Sequence, residues 1–364
     1  MPASKKLWIG LILILIIMIG GIQFFLQDSN NFPSDDDSLC QDAPFPIGVA
    51  TQSWYLKEGH EDSDIYRTTL FHSFNSISPE FEFKQYAING ERDVFDFNGS
   101  DYLVNFAQEN NLRMHAHTLI WDESLPEWMN DLNPTDFTNY TKKWVKNVVT
   151  RYKGNITSYD VVNEAFYWNG TGFSFEPTSY LEKMGPDYIA DMFRYTHSLD
   201  PDALLFYSDY GLRFTGQKLD VVKALIKNLL DDGVPIHGIG IHMHYTNTED
   251  APDLAEMQAA LTELADLGLL IHISEMDVVA NDGSHLWYDN VLKEEQQRIV
   301  EDIVTAYFSV PEDQQYGITL WGLRDGDSWQ NDRMSFPVGP LLFDNNCNPK
   351  PAYYGFLEVL KEYG

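Results

Sequence analysis

The sequence predicts an α/β chain closed into a single (β/α)8, or TIM, barrel. Eight short apolar runs recur along it, approximately Ile47–Ala50, Phe74–Ser78, Arg113–Leu119, Ile156–Asn163, Ala203–Ser208, Gly238–Met243, Leu269–Ser274 and Gly317–Trp321, each followed by a stretch that reads as helix. A chain of 364 residues can bury one large core of this kind, since such barrels use about 200–250 residues or more as one domain. Unusual polar residues also cluster at the C-terminal ends of the runs, which is where a barrel carries its chemistry.

The expected organisation is a signal or anchor segment over residues 1–26, an acidic flexible linker over 27–46 and the barrel over 47–364. Leu7 to Leu26 is apolar and free of charge, long enough to span a bilayer. Lys5 and Lys6 precede it, and Asp28 and Asp35-Asp36-Asp37 follow. Lysines on that side keep the N-terminus cytoplasmic and send the body outward. With no Ala-x-Ala cleavage pattern, an uncleaved membrane anchor is favoured over a removed signal peptide, and in both cases the body is exported. The linker suggests a monomer tethered near a membrane.

The formal net charge of −31 argues against nucleic acid and against anionic lipid surfaces, which demand a positive face. The only cysteines, Cys40 and Cys347, lie near the two ends of the exported part and could pair in an oxidising compartment. Between the apolar runs, Val221, Leu225, Leu229 and Leu230 share a helical face that Asp231-Asp232-Gly233 ends.

The fourth run has Ile156, Val161 and Val162 suited to a strand buried on both faces, then breaks into Asn163-Glu164. The seventh ends likewise in Glu275 and Asp277. Two strand-end carboxylates suggest a proton donor and a nucleophile facing one substrate. Either tip alone could instead cap the following helix. Other strand ends add Glu80 and Lys84, His117 and Trp121, Asp209 and Tyr210, His242 and His244, and Trp321, Asp325 and Trp329. Indole faces match the C–H faces of pyranose rings, although rim tryptophans also serve as packing. Glu80 and Lys84, four apart, could be a surface ion pair. No Gly-x-Gly-x-x-Gly follows a strand and no Walker loop is present, so no nucleotide cofactor is expected. His115-Ala-His117 and His242-Met-His244 have i, i+2 spacing that puts each pair on one strand face. Inward pairs of this type can bind zinc, a rival reading as a metal-dependent hydrolase.

Several blocks, in order, resemble glycoside hydrolase family 10, the endo-β-1,4-xylanases. They are Ser-Pro-Glu80-Phe-Glu-Phe-Lys84, His117-Thr-Leu-Ile-Trp121, Asp160-Val-Val-Asn163-Glu164-Ala, Ser274-Glu275-Met-Asp277, Thr319-Leu-Trp321-Gly with Asp325-Gly-Asp-Ser-Trp329, and Pro340–Asp344 through Tyr353. The resemblance runs from about Ile47 to Tyr353. It implies retaining cleavage of β-1,4-xylosidic bonds with no metal and no cofactor. Glu164 would be acid/base and Glu275 nucleophile. His244 would hydrogen-bond Glu275, backed by Asp277, and Asn163 would bind a 2-hydroxyl. Glu80, Lys84, His117, Trp121, Trp321 and Trp329 would line sugar subsites, with Tyr210 and His242 also on the substrate side.

Five departures from the family pattern accompany it: Phe81 for the usual Asn, Gln85 for Trp, Ser124 for Gln, His242 for Gln and Gly211 for a frequent Asn. All five are expected around the substrate rather than in the core, altering glycone recognition toward a substituted xylan or another β-1,4-glycan. A carbohydrate-binding protein without turnover is the remaining class, and both retained glutamates count against it.

Overall fold

The structure, a computed structural model, describes residues 37–246, 251–279 and 290–364 except 335 and 337. Eight parallel strands close a barrel: β1 Ile47–Thr51, β2 Ser76–Pro79, β3 Arg113–Ala116, β4 Ser158–Asn163, β5 Leu204–Tyr210, β6 Gly238–Tyr245, β7 Leu270–Val278 and β8 Gln315–Leu320. Each pairs with its sequence neighbours, and Ile47 opposite Ile318 joins the first strand to the last. The expected eight runs are these strands. Two limits differ. β3 stops at Ala116 rather than Leu119, and the chain returns to the sheet only where Leu119 and Ile120 donate N–H groups to Asp160 and Val161. β6 and β7 run further than expected, so His244, Glu275 and Asp277 stand inside strands, where both neighbours fix their backbone.

The barrel interior is more polar than the apolar runs suggest. Ser158 on β4 meets the Tyr316 hydroxyl of β8 across the barrel, and the rings of His115 and His272 pack edge-on 4.7 Å apart. Arg113 lies 4.0 Å over the Tyr316 ring and donates to its carbonyl at 2.9 Å. The apolar core lies instead between strands and helices, where Tyr159, Val161, Leu205 and Ile271 are fully buried.

The helix Pro134–Tyr152 illustrates how sequence sets position. Pro134 sits at its start, where a missing N–H costs nothing, and the Asn133 side chain accepts the Asp136 N–H. Such a cap contributes about 1 kcal/mol. Phe137, Trp144, Val145, Val148 and Val149 bury one face. The Trp144 indole donates to the Leu119 carbonyl at 2.7 Å, tying this helix to the loop that carries Trp121.

Three expectations are corrected. The packed body begins by Asp37, ahead of residue 47, because a short helix Leu39–Asp42 buries Leu39, Phe45 packs on Tyr307 at 4.8 Å, and the Tyr353 hydroxyl donates to the Asp37 carbonyl. Cys40 and Cys347 are free thiols; Cys40 turns toward the His72 carbonyl while Cys347 is buried beside Thr69. In the helix Gln217–Asp231 the buried stripe is Leu219, Val222, Ile226 and Leu229, so Val221, Leu225 and Leu230 flank the core. Its end is as expected, with Gly233 at φ 63°, a conformation that favours glycine. The expected anchor over 1–26 and the linker up to residue 36 lie outside the described residues. Among the described residues no helix is long and apolar enough to cross a membrane.

Candidate active site

Glu164 follows β4 directly with φ 55°, a left-handed backbone unusual for a residue with a side chain. Such conformers cost on the order of 1 kcal/mol and persist where surroundings enforce them. Here its N–H donates to the Ser208 carbonyl of β5 at 2.9 Å. The Trp121 indole donates to Glu164 Oε2 at 2.8 Å, and His242 Nδ1 lies 3.2 Å from Oε1.

Opposite, Glu275 of β7 is nearly buried. His244 Nε2 lies 3.0 Å from its Oε2, His242 Nε2 3.0 Å from its Oε1, and His117 Nδ1 3.7 Å from Oε1. Burial alone would push this carboxyl up; the imidazoles outweigh it and hold it down at about 2. It is a carboxylate at any neutral pH. His244 Nδ1 in turn meets Asp277 at 2.9 Å. Burial disfavours the charged ring, but Asp277 and Glu275 on its two nitrogens raise it to about 10. Trp329 and Gln330 add donors to Asp277 at 2.7 and 3.2 Å. The loop bearing Trp329 is held by Lys350, which pairs with Asp325 at 3.0 Å.

The other expected residues surround this centre. Trp321 is buried with its ring 5.1 Å from that of His117, and Trp329 lies 4.9 Å from His244. Lys84 Nζ stands 5.0 Å over the Trp121 ring rather than on Glu80. Glu80 accepts from Gln52 at 3.1 Å, and burial pushes it up to about 7. Asn163 is buried with its side-chain oxygen unpartnered, and Tyr210 stands half exposed at the rim beside Lys218. Of the five departures, Phe81 is exposed and Gly211, at φ 74°, takes a turn that asparagine also tolerates. Gln85 and Ser124 are corrections. Both are wholly buried, Gln85 between Tyr180 and Met129 and Ser124 against the Trp121 carbonyl, so they act in packing.

His242, His244 and Glu275 bring ligand-type atoms within 4.8 Å of one another. Yet His244 spends both nitrogens on carboxylates, and its raised proton affinity leaves no lone pair for a cation. The set suits hydrogen bonding rather than coordination.

The sequence reading gave no role to Asp160. It is wholly buried, and its Oδ2 lies 2.9 Å from both His117 Nδ1 and His115 Nε2. Burial would raise this carboxyl, but the two imidazoles hold it far below the usual range. The available signal was its i, i+2 alternation with Ser158, which faces the barrel interior. The Asp160→Ala variant is expected to lose about 3–5 kcal/mol of stability, because a buried pair loses one partner. Urea unfolding at neutral pH measures it, and an unchanged midpoint refutes it. A lowered folded value means the contribution is present above the ordinary aspartate range and is lost as pH falls through the folded value.

Residues 37–359 match the sequence family described as Glycosyl hydrolase family 10. Endo-1,4-beta-xylanase A of Cellvibrio japonicus is 34% identical over 353 residues, covering 89% of this chain and 56% of that protein; the chain thus spans little more than half of it. Beta-1,4-xylanase of Dictyoglomus thermophilum is 31% identical, covering 96% of this chain and 97% of that one. Among solved structures, xylanase 10B from Thermotoga petrophila in complex with xylobiose is similar with a TM-score of 0.81 and 32% identity, over 89% of this chain and 96% of that one. With the closed eight-stranded barrel, these matches establish that the chain belongs to glycosyl hydrolase family 10.

Proposed function

We propose that this protein is an endo-acting xylanase that cleaves β-1,4-xylosidic bonds by double displacement with retention. The observation that carries the reading is two carboxylates on opposite sides of one buried imidazole, His242, with Glu275 held ionised by three histidines. Glu275 attacks the anomeric carbon and Glu164 protonates the leaving oxygen; Glu164 then takes a proton from water as that water displaces the ester. His244, fixed by Asp277, orients Glu275. Asn163 offers its unpartnered oxygen to a sugar hydroxyl, and Glu80, Lys84, His117, Trp121, Tyr210, Trp321 and Trp329 line the sugar subsites. The xylan preference rests on the curated relatives, whose printed names are xylanases. Exposed Phe81 in place of an amide favours a substituted xylan or a related β-1,4-glycan as the preferred polymer. Export and tethering by Leu7–Leu26, behind Lys5 and Lys6, belong to the same reading.

The test is reducing-sugar release from xylan and from carboxymethylcellulose by the full chain, assayed in washed membranes and in supernatant, with EDTA and with Glu275→Ala in parallel. Xylan turnover that survives EDTA and vanishes in the variant is expected in the membrane fraction. Activity on the glucan alone changes the substrate, and activity in the supernatant alone overturns tethering. Activity that EDTA alone abolishes overturns the two-carboxylate mechanism.

A further inference from the structure

His242 stands where the family pattern that the sequence resembles has glutamine, and glutamine cannot titrate. His242 is 1% exposed and lies between the two active-site carboxylates, Nδ1 at 3.2 Å from Glu164 and Nε2 at 3.0 Å from Glu275. We propose that His242 and Glu164 share a single proton across their contact, and that at rest His242 holds the proton Glu164 must give to the leaving oxygen. The inference deepens the proposed function and rests on it.

Among the described residues, the groups facing this ring are few. Glu164 reaches it from the end of β4 and Glu275 from β7; Ser208 of β5 lies 3.0 Å from Nε2. His244, two residues on, is a cation already matched to Asp277, and the His117 ring stands 6.5 Å away just past the end of β3, bound to Asp160. His272 lies deeper in the barrel on β7, and the Lys218–Asp209 pair lies beyond Glu164. Burial disfavours a charged His242, but Glu275 and Glu164 outweigh it and raise its proton affinity. Burial likewise favours a neutral Glu164, and His242, with the Trp121 indole, outweighs it and lowers that carboxyl. Both shifts point to imidazolium beside carboxylate. A general acid held ionised is idle unless its proton waits within reach.

Protons and electrons balance across the cycle. The Nδ1 proton passes to the Glu164 carboxyl, which gives a proton to the glycosidic oxygen as that oxygen keeps the electron pair of its bond to the anomeric carbon. A Glu275 oxygen forms the new bond to that carbon, and His242 is left neutral. In the second half water bonds to the carbon, the ester bond to Glu275 breaks, and the water proton returns through Glu164 to His242. Two interacting groups titrate as a pair. The pair keeps its one proton until pH rises through the raised value of the imidazole, so the alkaline limb of activity follows His242 rather than the carboxyl.

The test compares pH profiles of kcat/KM for the parent and His242→Gln, on xylan and on dinitrophenyl xylobioside. With glutamine the proton can reside only on Glu164, and the alkaline limb on xylan is expected to fall to lower pH by about one unit or more. The aryl substrate needs little protonation, so the pH at which its alkaline limb falls should not shift whatever rate the variant retains, and that residual turnover shows a folded enzyme. An unmoved limb on xylan overturns the proposal. A second measurement needs no turnover: ¹⁵N NMR titration of the histidines, with His242 assigned by its loss in His242→Gln. In Glu164→Gln the His242 titration should drop by about one unit; no change overturns proton sharing. Should the parent cleave neither substrate, the proposed function fails and this titration alone decides the inference.

Discussion

The Glu275→Ala variant is expected to lose xylan turnover by about 10⁴-fold or more in kcat, because it removes the carboxylate that would form the covalent intermediate. The surroundings favour this outcome. His244, His242 and His117 all converge on Glu275, so the site is organised around a negative charge there. With the charge removed, His242 loses one of the two carboxylates that hold its proton, while His244 keeps Asp277. Azide, small enough for the space left, should restore part of the rate and yield a glycosyl azide of inverted configuration. The decisive measurement is steady-state kcat on xylan with and without azide. Wild-type turnover in the variant would remove Glu275 from the mechanism.

The Glu164→Ala variant should separate substrates by leaving group. On xylan, whose leaving hydroxyl needs a proton, kcat is expected to fall about 10²–10⁴-fold. On dinitrophenyl xylobioside the first step should survive, because dinitrophenolate departs unaided. The second step should then limit, since no base remains for water, and the glycosyl-enzyme should accumulate as a burst of dinitrophenol. Stopped-flow absorbance measures the burst. Equal losses on both substrates, without a burst, would refute the acid/base role.

The local periodicities of the chain made much of this site legible. A period of two places 115 with 117, 242 with 244, and 275 with 277 on common faces, and an apolar run ending in polar residues marks a strand tip. That is why Glu164, Glu275, His244 and Asp277 could be set at strand ends without coordinates, while the role expected of each came from the family resemblance. Gln85 and Ser124 were misplaced because whether a polar side chain turns inward depends on what meets it. Tyr180 and Met129 meet Gln85 from distant parts of the chain. Asp160 likewise gained its meaning only when β3 and the residues just after it lay beside β4 and gave it two histidines.

What the sequence determined by itself was the set of strands and the kinds of chemistry at their ends, since both follow from residue type and spacing along one segment. The tertiary structure decided which of those groups touch. Between β6 and β7 the pairing slips after Ile241, so that Ile241 faces Ile273 but His242 faces Glu275, with Ser274 as the extra residue. A bulge of one residue moves every later side chain of its strand relative to the partner. Here it sets Glu275 beside His242 and Asp277 beside His244. Nothing in the residue type at Ser274 announces that slip, because register is a property of two strands lying side by side rather than of one segment.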